Sequence, residues 1–171
     1  MVLFWQPPGF LVQWTPSPFQ IAGVAYSCAE QWMMACKARL FNARDVLAQI
    51  LATADPEQHK RLGRAVPNFN SELWERHSLQ VVIHGNYAKF TQNAALRREL
   101  VDTGSRLLVE ASPHDRVWGI GLAANDPKAL DERRWRGTNK LGQALMVVRQ
   151  LIVEGREPSP PPEKALLQCG G

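Results

Sequence analysis

The chain has 171 residues, of which 45% are hydrophobic and 21% charged, and it carries a formal net charge of +4. A single domain is the expectation at this length, and the composition excludes a disordered or fibrous chain. The modest positive charge permits an anionic small molecule or a nucleic acid as ligand but excludes a strongly basic coat protein or arm.

The first 26 residues read as irregular or short extended structure, because Pro7, Pro8, Pro16 and Pro18 exclude a helix. Within them Phe19–Tyr26 has the pattern of a small hairpin turning near Gly23. Ser27-Cys28-Ala29-Glu30 has the form of a capping box, which predicts a helix running to about Phe41. Asn42 is a candidate cap for a second helix over 43–52. Asp55-Pro56 suits an N-cap and first turn, with Gly63 as the stop. A long helix over about 71–90 follows from Leu79, Val82, Ile83, Tyr87 and Phe90 sharing one face. Asn93 is a candidate cap for a helix ending at Gly104, and Arg106–Ala111 reads as a strand. Asp126-Pro127 starts another short helix. Asn139–Glu154 has a stripe of Leu141, Leu145, Val148 and Ile152 closed by Gly155. Residues 157–171, with four prolines and a Gly-Gly end, read as a flexible tail outside a domain of 1–156. The expected fold is mainly α, a single domain with a few short strands.

The three cysteines, Cys28, Cys36 and Cys169, have no paired spacing, which points to a reducing, cytoplasmic compartment. Neither C-x-x-C nor H-E-x-x-H occurs and the four histidines are scattered, so no metal site or cofactor is expected. No leader-like N-terminus and no apolar run of spanning length stand out, so secretion and a membrane span are not expected.

Three segments carry candidate chemistry. In the first, Glu30 and Lys37 lie seven residues apart on one helix face with Met33 and Met34 between them, so both could be partly desolvated. The structural alternative is that Glu30 closes the capping box and Lys37 is solvated. In the second, Asp115, Trp118, Gly119 and Gly121 sit in a loop after a strand, where Trp118 could stack on a planar base and Asp115 act at a sugar carbon or orient water. The alternative is an ordinary turn over a tucked indole. In the third, Asn139 could point its amide into a pocket at a helix start or merely cap. Trp74 and Lys89 are lesser candidates, with core packing and a solvated amine as their alternatives. The Arg133, Arg134 and Arg136 cluster reads as a solvated face or a weak phosphate contact. Of the six tryptophans, Trp118 is the stacking candidate, Trp32 and Trp74 are candidate pocket walls, and Trp5, Trp14 and Trp135 stay unassigned.

Taken in order, Pro16-Ser17-Pro18-Phe19, Ser27-x-x-Glu30 through Lys37, Leu62-Gly63-Arg64, Trp74, Lys89-Phe90, Leu107-Leu108-Val109-Glu110, Asp115-x-x-Trp118-Gly119 and Asn139-x-Leu141-Gly142-x-x-Leu145-Met146-x-x-Arg149 resemble the NADAR (YbiA-like) N-glycosidase family. The resemblance covers about residues 10–153. It departs at Leu11-Val12-Gln13-Trp14, where the family has a Ser-Asn-Phe-like segment, and in a longer, more charged stretch between Gly121 and Gly137.

The resemblance implies a helical YbiA-like fold and hydrolysis of an N-glycosidic bond to ribose. The implied substrates are phosphoribosylamino-pyrimidine intermediates of riboflavin biosynthesis, or ADP-ribose attached to guanine in nucleic acid. The family's acidic and tryptophan site positions fall on Glu30, Asp115 and Trp118. Departure of a base from C1 builds positive charge on the sugar, so Glu30 and Asp115 suit that centre as base, acid, orienter or charge stabiliser. Lys37 either holds Glu30 ionised and binds sugar or phosphate, or attacks C1 as a neutral amine to give a Schiff base. Gly119, Asn139, Trp74 and Lys89 are expected at the substrate. The competing class is a non-catalytic nucleotide, ADP-ribose or nucleic-acid binding module. A third reading is a structural helical domain without a ligand.

Overall fold

The computed structural model describes residues 1–166. Among the described residues are seven α-helices and four three-residue strands. Helix α1 (Ala29–Leu40) is the axis of the molecule: every residue but Lys37 is buried. Helices α2 (Arg44–Ala52), α3 (Pro56–Arg64), α4 (Ser71–Gln92) and α7 (Glu163–Leu166) pack around it. A helix buried on all sides needs no amphipathic stripe, which is why its sequence shows none. The expected capping box does not form. Gln31 Oε1 accepts the Ser27 N–H at 2.6 Å and its hydroxyl at 3.1 Å, while the Glu30 N–H goes to the Gln13 carbonyl at 3.1 Å. The Glu30 carboxyl therefore plays no part in the helix start.

The hairpin expected before α1 is present as β2 (Phe19–Ile21) and β3 (Val24–Tyr26). Its two-residue turn places Ala22 and Gly23 at φ 51° and 78°, the left-handed geometry that matches strand twist. Asn42 adopts φ 55° as a turn residue, and Ala43 rather than Asn42 is the N-cap of α2. Asp55 caps α3 as expected, accepting the Glu57 N–H at 3.0 Å. Gly63 does not end α3 but lies inside it, where a Cβ would collide with the Met34 side chain. The missing side chain is what lets α3 close on α1.

Asn70 caps α4, and the expected stripe is buried or half-buried between α1 on one side and α6 (Lys140–Glu154) on the other. Helix α5 (Ala94–Asp102) starts after Asn93, whose amide does not cap it but donates to the carbonyls of Pro18 and Lys89 at 3.1 and 2.7 Å. Strand β1 (Val2–Phe4) pairs in parallel with β4 (Leu108–Glu110), with Phe4 opposite Glu110. Asp126-Pro127 opens a short 3-10 turn, Pro127–Leu130, followed by Glu132–Arg134. Gly155, at φ 65°, closes α6.

The C-terminal segment departs from the expectation of a free tail. Pro161 and Ala165 are buried, and α7 packs Ala165 into the main core against α1. Its last residues, 167–171, including Cys169, lie outside the described residues. Among the described residues no helix is long and apolar enough to cross a membrane.

Candidate active site

A cavity of about 630 Å³ opens where the N-terminal loop, α1, α3, the start of α4 and the loop after β4 converge. Four of the six indoles wall it: Trp5 and Trp14 from the N-terminal loop, Trp74 from α4 and Trp118 from the loop. Three carboxyl groups line it, Glu30 from α1, Glu110 from the end of β4 and Asp115 from the loop. Three cations line it as well, Lys37 from α1 and Lys60 and Arg64 from α3. Aromatic walls with a few convergent charged groups are the usual make-up of a small-molecule site.

The carboxyl groups act on one another. Burial pushes the Glu30 carboxyl up to about 7, and Asp115 adds to the shift, while Lys60, the Trp14 indole and Arg64 oppose it. Burial pushes Glu110 up to about 8, Asp115 and Glu30 raise it further, and Lys60 opposes. A group poised near neutral pH can both take and give a proton, which is what general acid–base chemistry requires. Lys37 is lowered by burial and by the Arg64 guanidinium, with Glu30 pulling the other way. Glu30 and Lys37 thus share a cavity wall, as their spacing on α1 predicts.

The second carboxyl-bearing wall is a knot of backbone between β4, the loop and the start of α6. Asp115 Oδ1 accepts the N–H groups of Val117 and Trp118, both at 2.8 Å, which fixes the turn that presents the Trp118 ring. Gly119 packs against the carbonyls of Glu110 and Asp115, 2.9 and 3.0 Å from where its Cβ would stand. Any side chain there would drive the two apart. Ile120 N–H donates to the Glu110 carbonyl at 2.9 Å, and Gly121 N–H to the Asp115 carbonyl at 3.0 Å.

Of the residues expected at the substrate, Glu30, Lys37, Asp115, Trp118 and Trp74 line the cavity. Three stand behind it. Gly119 is the packing point just described. Asn139 is buried in the left-handed conformation, φ 53°, and its side chain neither caps α6 nor enters the cavity. Its amide instead bridges β4, accepting the Glu110 N–H at 3.0 Å and donating to the Leu108 carbonyl at 2.9 Å. Lys89 is fully buried on α4, its amine pushed down to about 7 by burial and donating to the Val12 carbonyl at 3.0 Å. It braces the Val12–Gln13 wall. Trp32 is core rather than wall: its indole N–H donates to the Val81 carbonyl at 2.8 Å and its ring lies against Gly85.

Sequence reasoning gave no site role to Glu110, Lys60, Arg64, Trp5 or Trp14. Lys60 and Arg64 are four apart on α3, so they share one face, and Gly63 beside them marks the close approach. That pattern was a usable signal. Glu110 carried a weaker one, a carboxyl at the last position of a strand otherwise buried. Among the described residues no group of three His, Cys, Asp or Glu side chains is arranged to hold a metal.

Comparison with known proteins bears on this arrangement. The model of the NADAR domain family matches residues 3–153. An N-glycosidase of Acanthamoeba polyphaga mimivirus is 41% identical over 143 residues, covering 81% of this chain and 84% of that one. The chloroplastic riboflavin biosynthesis protein PYRR of Zea mays is 34% identical over 115 residues, 65% of this chain but 17% of that longer protein. The NMR structure of the Escherichia coli protein YbiA superposes with a TM-score of 0.72 at 25% identity, covering 90% of this chain and 86% of that one. The helical architecture expected from the sequence is the one those coordinates share.

Proposed function

The chain belongs to the NADAR domain family, and from that premise we propose that it is an N-glycosidase that releases a base from a phosphorylated ribose. The observation that carries this reading is the pairing of Glu30 and Lys37 on one wall of a cavity that also holds Lys60 and Arg64. The two α3 cations suit a phosphate, and the indoles suit a planar base. Lys37, lowered by burial and by Arg64, attacks C1 as a neutral amine, and Glu30 takes its proton. The base leaves, Glu30 passes its proton to the ring oxygen as the C1–O4′ bond opens, the ribose remains on Lys37 as a Schiff base, and water activated by the again ionised Glu30 frees it. Asp115 orients the loop and, with Glu30, stabilises the positive charge that develops on the sugar.

The favoured substrate is a phosphoribosylamino-pyrimidine of the riboflavin route, in keeping with the relatives named for that pathway. ADP-ribose attached to guanine in nucleic acid is the second reading, and the four indoles favour it, being more aromatic surface than one pyrimidine needs. A cytoplasmic, reducing location suits Cys28 and Cys36, both free and buried.

Incubation with each substrate followed by chromatography tests the reading. Free pyrimidine or free guanine is the expected product. Tight binding of both without base release leaves the protein a nucleotide or nucleic-acid binding module, and a steep salt dependence then marks the nucleic acid.

A further inference from the structure

We propose that Glu110 is the proton donor to the departing base, and that Asn139 is the positioning residue that holds it at the cavity. The inference rests on the N-glycosidase reading and adds to it a group that the reading lacks. A nitrogen base is a poor leaving group as an anion, so the bond to C1 breaks readily only when a proton reaches the base as it leaves.

Glu110 ends β4 at the cavity wall. Its Oε2 is buried and has no hydrogen-bond partner. A buried polar atom without a partner is costly, and one beside a ligand cavity is satisfied when a ligand supplies the complementary atom. A protonated carboxyl offers an O–H there, and a ring or exocyclic nitrogen of the base accepts it.

Burial first, and then the carboxyls facing the side chain, favour the protonated form. Glu30 from α1 and Asp115 from the loop both raise it, and Lys60 from α3 is the opposing cation. Lys60 favours the ionised form of Glu30 as well, and Glu30 differs in having Arg64 and the Trp14 indole on its side, both of which favour that form. Both carboxyls are raised by burial, and the one with more neighbours favouring ionisation suits the base while the other suits the acid.

The backbone of Glu110 is held from both sides. Asn139 Oδ1 accepts its N–H at 3.0 Å, and the Ile120 N–H donates to its carbonyl at 2.9 Å. Asn139 adopts φ 53°, a conformation costly for most side chains, and its amide is used wholly on β4. That cost is offset by fixing the last residue of the strand to the start of α6.

The Lys37 amine forms the new bond to C1 and its proton goes to Glu30. The C1–N bond breaks with its electron pair on the base nitrogen, and the Glu110 proton goes to that nitrogen. Glu110 is left ionised and is reprotonated from water before the next turnover. The requirement for a donor is the same if water, not Lys37, takes C1.

The test is single-turnover base release from two ribose 5-phosphates, one carrying an amino-linked pyrimidine and one carrying para-nitrophenol, whose anion leaves without a proton. Glu110→Gln is expected to slow release of the pyrimidine by about 10²-fold or more and of nitrophenol by less than about tenfold. Loss of the basic limb of the pyrimidine pH profile should accompany it. Asn139→Gly keeps the left-handed backbone and is expected to give the same substrate-dependent loss, weaker in degree, with the basic limb moved. Equal slowing of both substrates by Glu110→Gln, or of neither, overturns the assignment. Should that variant fail to fold, the wild-type profiles decide: a basic limb shared by both substrates overturns it, and one confined to the pyrimidine upholds it. If the wild type releases nitrophenol but neither pyrimidine nor guanine, the N-glycosidase reading falls and Glu110 has no base to protonate.

Discussion

The Lys37 amine lies 4.1 Å from the centroid of the Phe69 ring and 5.9 Å from that of Trp74, so aromatic faces cage it where α1 meets the cavity. Ring faces favour the ammonium form, whereas burial and Arg64 favour the neutral amine, and the balance falls on the neutral side of an ordinary lysine. Borohydride added during turnover is therefore expected to trap a ribosyl adduct on Lys37, located by peptide mass spectrometry. Lys37→Met should lower turnover by roughly 10²–10⁴-fold, the range for loss of a group acting at the reacting centre. Robust turnover with no adduct would instead make Lys37 a charge partner of Glu30 and leave the attack on C1 to water.

Glu30 is expected to give the acid limb of the pH profile. Its carboxyl must be ionised to accept a proton, so kcat/KM is expected to rise with pH and level off near 7. Glu30→Gln should remove that limb and cost orders of magnitude in turnover. Stability gives an independent check. The folded-state value lies above the ordinary 4.5, so the folded protein holds the proton more tightly than the unfolded chain. The contribution is fully present below 4.5 and is lost as pH rises through about 7. Thermal melts of Glu30→Gln should thus gain on wild type between pH 4 and pH 8, and parallel melting curves across that range would contradict the burial of a titrating carboxyl.

Local signals in the sequence carried most of the helices. Asp55 caps where expected, α4 starts at Ser71 as expected, Gly155 closes α6, and the stripes of α4 and α6 face the core. The site was legible where its residues fell on one element, as Glu30 and Lys37 do, or in one loop, as Asp115 and Trp118 do. It was not legible where distant segments decide the environment. Trp32, a candidate wall, is core, and the unassigned Trp14 is wall, because Val81 and Gly85, some fifty residues from Trp32, make a berth for its ring. The Ser27 cap pattern fails for a similar reason: Gln31 and the Gln13 carbonyl take the groups that a capping box would use. Asn139 looks like a cap in sequence because nothing local reveals β4 beside it.

The C-terminal segment is open to a direct stability test. Ala165 is fully buried in the main core against α1, whereas Glu163 beside it is exposed. Ala165→Glu places a longer, charged side chain in that contact and is expected to cost about 2–4 kcal/mol, by overpacking and by burying an unpaired charge. At this chain length that amounts to a fall of roughly 5–15 °C in Tm. Glu163→Lys, on the exposed side of the same turn, should stay within about 0.5 kcal/mol. Identical melting of Ala165→Glu and wild type would show that residues 157–166 add nothing to the fold.

Gly142 offers the sharpest contrast between local propensity and tertiary packing. Ala is a better helix former than Gly by about 1 kcal/mol, so on propensity alone Gly142→Ala should stabilise α6. In the folded chain a Cβ at this position would strike the Leu108 carbonyl oxygen and lie 2.5–2.6 Å from the Asn139 amide atoms. Backbone and a hydrogen-bonded amide cannot swing aside as a flexible side chain can, so α6 must move away from β4. The variant is expected to lose about 1–3 kcal/mol in urea denaturation despite its gain in propensity. The same displacement pulls the Asn139 amide from the Glu110 N–H, so base release should slow even where the variant remains folded. A gain of about 1 kcal/mol with full activity would mean that α6 and β4 do not approach this closely, and the link from Asn139 to Glu110 would fail with it.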